Sequence, residues 1–120
     1  MWKQYPEVKD AITAIEDVIG ILKRNGDSFG ELLLTYLTAI NTAPVTVAKE
    51  GFFKIGQMCD PKCLGDRFLK DLSTEEWHQV IGRLEDACVS AFNRIEPEVE
   101  QLRREELKRI ADQQAQLDKK

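Results

Sequence analysis

The 120-residue chain is poor in the residues that most often do chemistry: it has one histidine and three cysteines. A lone imidazole, His78, leaves nearly every nucleophile–base pair without its base; it would have to reach Ser73, Ser90 or a cysteine by coincidence of folding. There is no G-x-S-x-G elbow, no phosphate-cradling glycine loop and no dinucleotide fingerprint. These gaps speak against an enzyme, and no cofactor is expected. Three thiols are an odd number for a disulfide framework, so free cysteines in a reducing cytoplasm are the simpler expectation. No run of about 18 apolar residues occurs, which excludes an apolar membrane-spanning helix. The opening "MWKQYPEVKD" also lacks the apolar stretch of a signal peptide. Nor is there a basic excess. The net charge is −4, whereas a nucleic-acid binder draws most of its affinity from neutralising phosphates.

Two motifs could still hold a metal. Cys59, Cys63, His78 and Cys88 would supply three sulfurs and one nitrogen. The firmer zinc patterns use two short paired spacings, and here only Cys59 and Cys63 are close, with three residues between them. Cys88 falls on an apolar helical stripe and reads as a small core hydrophobe. Cys63 sits just inside an expected helix start and is the thiol expected to react first. Glu75 and His78 form E-x-x-H, but the di-iron bundles that use this motif need it twice. The plainer reading makes Glu75 and Glu76 first-turn acids at a helix N-terminus and His78 a surface residue. No metal site is expected.

What the chain does have is helical patterning within a length suited to one domain. From Pro6, the residues Val8, Ile12, Ile15, Ile19 and Leu22 recur every three or four positions, widened by Ala11 and Val18; Lys23 to Gly26 make the stop. Ser28 and Glu31 fit a capping box for a second helix bearing Phe29, Leu32, Leu33, Tyr36, Leu37 and Ile40. Being the greasier of the two, it is expected at the centre of the fold. Residues 45–58 fit either a helix through Val45, Ala48, Phe52 and Ile55 or a small hairpin; helical neighbours favour the helix. Asp60 and Pro61 read as the start of a further helix with Leu64, Phe68 and Leu72 on one side. Ser73 and Glu76 form another capping box, ahead of a helix whose apolar face runs from Trp77 to Ile95. At Pro97 the chain is expected to kink sharply or to restart.

Beyond Pro97 the composition changes: no glycine, no aromatic, abundant charge and amide. Glu100 with Arg104, and Glu105 with Arg109, are spaced for ion pairs along a helix. Val99, Leu102, Leu107, Ile110 and Leu117 make a thin apolar seam, too short for a long coiled coil. Such a helix is weak alone and is expected to lie on its own bundle or on a partner subunit. Trp2 and Tyr5 precede the first helix, either stapling the terminus or anchoring a partner.

The expected architecture is therefore an all-α single-domain bundle of five or six helices, with residues 1–96 as core and 97–120 as a charged amphipathic helix. The expected function is a non-catalytic protein-interaction module: a small cytoplasmic adaptor, regulator or inhibitor that binds a protein partner and self-associates as a dimer. Its candidate contact residues are Val99, Leu102, Leu107, Ile110, Leu117, Trp2 and Tyr5. One alternative is a nucleic-acid-associated regulator using the 61–92 helix pair or the basic stretch Arg103 to Arg109, whose bases alternate with Glu105 and Glu106. A second is a metal-binding protein built on Cys59, Cys63 and His78.

Overall fold

The structure, a computed structural model, describes residues 2–60, 62–64, 67 and 69–118. Its order is a short 3-10 turn (Trp2–Gln4) followed by α1 (Pro6–Arg24), α2 (Phe29–Thr42), α3 (Val45–Met58) and α4 (Thr74–Asp118). The fold is all-helical. Consecutive helices pack on one another and α4 closes the ring onto α1, while α2 and α4 lie diagonally opposed. Contacts give the directions: Glu7 at the start of α1 meets Arg94, whereas Arg24 at its end meets Asp71, just before α4. Two-to-four-residue connections between α1, α2 and α3 demand antiparallel neighbours, so the topology is an up-down-up-down four-helix bundle.

Each helix buries the stripe that its periodicity marks. α1 turns Val8, Ala11, Ile15, Val18, Ile19 and Leu22 inward, and α4 does the same with Trp77, Ile81, Leu84, Cys88, Ala91, Ile95 and Val99. Residues 45–58 are helix, not hairpin, with Val45, Ala48, Phe52 and Ile55 buried. Gly51 is required by the packing rather than tolerated. A Cβ there would sit 2.8 Å from Ile40 Cγ1, so α2 and α3 cross too closely for any side chain.

Several expectations are corrected. α2 is not central: it buries Gly30, Leu33, Leu37 and Ile40, Phe29 and Tyr36 are half-buried, and Leu32 is exposed. In a four-helix ring every helix has one outward face, and high apolar content cannot change that. The α2 cap is not the Ser28–Glu31 box. Ser28 makes no side-chain cap; instead Asp27 Oδ1 accepts a 2.9 Å bond from the Phe29 N–H. The Ser73–Glu76 box does form, with Ser73 N–H donating to Glu76 Oε1 and Glu76 N–H donating to Ser73 Oγ, both at 3.0 Å.

The described residues contain four α-helices, not five or six, because no α-helix forms between Asp60 and Leu72 among them. Pro61 and Phe68, on which part of that expectation rested, lie outside the described residues. Asp60 caps only a local turn, accepting from the Lys62 N–H at 2.8 Å. The segment instead finds its partners on the neighbouring elements. Trp77 Nε1 donates to the Leu64 carbonyl at 2.7 Å, Lys70 N–H donates to Asn25 Oδ1, and Arg24 and Asn25 both donate to Asp71. Those tertiary bonds satisfy backbone and side chains that a helix would have used differently.

Pro97 does not end the helix either. α4 runs from Thr74 to Asp118 through it. Apolar residues on both sides of the proline, Ile95 and Val99, are buried in one core. Both acids flanking it are tied to other elements: Glu96 to Lys49 at 3.6 Å, and Glu98 by the Tyr5 hydroxyl. This packing offsets the one hydrogen bond that proline removes. At about 1.5 Å per residue, a 45-residue helix spans the full 68 Å length of the molecule, whose other dimensions are 25 and 23 Å. α1, α2 and α3 are far shorter, so the end of α4 projects past them.

Candidate functional site

The projection of α4 creates the main unpartnered feature of the chain. Every residue from Gln101 to Asp118 is exposed, a rod about 27 Å long with no bundle beside it. Four apolar side chains stand on it: Leu102 is 45% exposed, Leu107 60%, Ile110 49% and Leu117 63%. Where the rod leaves the bundle, beside the first turns of α3, there is a groove of about 740 Å³. Phe53, Phe92, Val99, Leu102 and Leu107 form its apolar floor and wall, and Lys49, Arg103 and Glu106 belong to its rim. A second hollow of about 320 Å³ continues it along α3 and α4, sharing Phe53 and Phe92. Their rings lie 5.8 Å apart, and Lys49 Nζ sits 4.9 Å over Phe92.

This clustering is not a general property of the surface. Of the eight large apolar side chains left exposed among the described residues, seven lie on α3 and α4; Leu32 on α2 is the other. A concentration of this kind marks a contact surface more often than scattered exposure does.

The seven residues singled out in the sequence fall into two groups. Leu102, Leu107, Ile110 and Leu117 stand on the rod. Val99, at 4% exposed, belongs to the core and reaches only the groove floor. Trp2 and Tyr5 are half-buried against the core on the opposite side, near the α1–α4 contact. Tyr5 donates to Glu98, and its ring is covered by the Arg94 guanidinium at 3.9 Å. The Glu98 hydrogen bond raises the phenol above its ordinary value, with burial adding to it. Phe53 and Phe92 are the residues the sequence missed: Phe92 was read as part of the core-facing stripe of its helix and Phe53 only as part of the hairpin alternative, and it is the packing of α3 beside α4 that brings both to the groove.

The other candidate chemistries are distributed differently. Cys59 and Cys88 are buried, and burial pushes each thiol up to about 12. Cys63 is half-buried in a turn rather than at a helix start. His78 and Glu75 are exposed on the first turns of α4. Among the described residues, no three histidine, cysteine or acidic side chains converge as metal ligands would. Three of the four bases of the rod are engaged by acids on the same helix: Arg103 and Arg104 each meet Glu100 at 3.6 Å, and Arg109 pairs with Glu106 rather than with Glu105. The 61–92 helix pair lacks an α-helical first member among the described residues. No described helix is long and apolar enough to cross a membrane.

No family model matches the chain, no curated protein is significantly similar to it, and no solved structure matches it. Function must be argued from the geometry alone.

Proposed function

We propose that the chain is a non-catalytic protein-interaction module, a small cytoplasmic adaptor, regulator or inhibitor, that binds through the α3–α4 groove and the projecting end of α4 and self-associates. One observation carries the reading. An 18-residue stretch of helix, too weakly apolar to stabilise itself, is held out from the bundle with Leu102, Leu107, Ile110 and Leu117 uncovered beside an apolar groove. A helix laid in a groove is a recurrent way for proteins to recognise one another.

The test is capture from the native host with full-length bait, wild type against Leu107→Asp with Ile110→Asp. A protein retained by the wild type and lost by the variant, at equal helix content, supports the reading. Equal recovery on both baits, or no protein on either, refutes it.

A further inference from the structure

Resting on that reading, we propose that the occupant of the groove is the projecting α4 end of a second copy of this chain, paired antiparallel about a two-fold axis between Arg104 and Glu105. A two-fold contact must be self-complementary: whatever residue i meets on its partner must also meet i. α4 satisfies this in one register. Laid antiparallel about that axis, Leu117 of one protomer comes level with Phe92 of its partner, Ile110 with Val99, and Leu107 with Leu102. Each of these pairs occurs twice by symmetry. At about 100° per residue, Phe92, Val99, Ile110 and Leu117 fall within about 20° of one another and form the facing seam, while Leu102 and Leu107, about 140° apart, come level from its two edges. Leu117 of the rod thereby meets Phe92, Ile110 comes over the groove floor at Val99, Leu102 and Leu107 flank the seam, and the groove beside Phe53 and Phe92 receives the end of the partner helix.

Charge agrees with the same register. Arg103 and Glu106, both lining the groove, come level with each other across the axis, again twice. From Gln101 to Asp118 the rod carries as many bases (Arg103, Arg104, Lys108, Arg109) as acids (Glu105, Glu106, Asp112, Asp118), so two copies do not repel. Size agrees as well. Residues 91–118 of each α4, a strip about 42 Å long and about 12 Å wide, give about 1,000 Å² over both partners. That stands at the lower limit for a specific protein interface, about 1,000–1,200 Å².

The experiment is light-scattering mass of the full chain at micromolar concentration, with circular dichroism as the fold control, for wild type, Leu107→Asp, Arg103→Glu and the double exchange Arg103→Glu with Glu106→Arg. All three positions are exposed, so the fold should survive each change. The wild type is expected at twice the monomer mass. Leu107→Asp should weaken pairing at least tenfold. Arg103→Glu alone should weaken it also, because two acids then come level, and the double exchange should restore it. A wild type that stays monomeric, a dimer indifferent to Leu107→Asp, or a double exchange no tighter than the single one overturns the pairing. A monomeric chain that still captures a different protein through Leu107 and Ile110 overturns this inference alone. A monomer that captures nothing removes the interaction reading as well.

Discussion

The tight packing of α3 on α2 makes a quantitative prediction at Gly51. Replacing it with alanine places a methyl 2.8 Å from Ile40 Cγ1 and 3.2 Å from Cδ1, against a comfortable carbon–carbon distance of about 3.5–4.0 Å. Ile40 is completely buried, and Cγ1 hangs directly on a branched Cβ whose rotamer a helix restricts. The side chain cannot swing away, so α2 and α3 must separate. Overpacking of this kind costs about 1–3 kcal/mol. Alanine returns about 1 kcal/mol through helix propensity. The balance for Gly51→Ala is a net loss of about 1 kcal/mol in urea unfolding followed by circular dichroism. Gly20 is the control: it is an exposed helical glycine with nothing within 4 Å, and Gly20→Ala should stabilise by about 0.5–1 kcal/mol. In an Ile40→Ala background, which by itself costs about 2–5 kcal/mol, Gly51→Ala should become neutral or stabilising because its methyl enters the vacated space. If Gly51→Ala stabilises the wild type as much as Gly20→Ala does, the close crossing of α2 and α3 is wrong.

Three further outcomes follow from particular contacts. Trp77→Phe removes the indole donor from the buried Leu64 carbonyl and should cost about 1–3 kcal/mol in the same unfolding assay; a neutral result would show that this hydrogen bond does not hold the 59–73 segment to the bundle. The carboxyls of Asp71, bonded by Asn25 and Arg24, and Glu76, bonded by the backbone and hydroxyl of Ser73, are held below their ordinary values. Because their folded values are depressed, the stability they contribute is present above the unfolded values of 3.8 and 4.5 and is lost as pH falls through the lower folded ones. Unfolding titrations from pH 6 downward should therefore show a decline that is shallower in Asp71→Asn, and parallel curves for the two proteins would contradict this. Iodoacetamide at pH 8 should modify Cys63 well before Cys59 and Cys88, whose buried thiols are protonated there and should react only on unfolding; equal labelling by mass spectrometry would contradict their burial.

Local pattern alone settled the helical class and most of the inward stripes. Val8 through Leu22, Leu33 through Ile40, and Trp77 through Ile95 repeat at the helical period, and a period names a face whatever packs on it. The Ser73–Glu76 cap was legible for the same reason, since both partners lie within one turn. Where the sequence misled, distant contacts decided. Residues 60–72 carry helix-start chemistry, yet Asn25, Arg24 and Trp77 capture their polar groups from elsewhere in the fold. Pro97 left a kink or a restart open, and it is not a restart: Lys49 and Tyr5 grip the acids on either side of it while Ile95 and Val99 share one core. The seam of the candidate site was visible as Leu102, Leu107, Ile110 and Leu117, but not the groove. That hollow exists only because α3 stops short while α4 continues past it, a relation between helix lengths and directions that no stretch of sequence contains by itself.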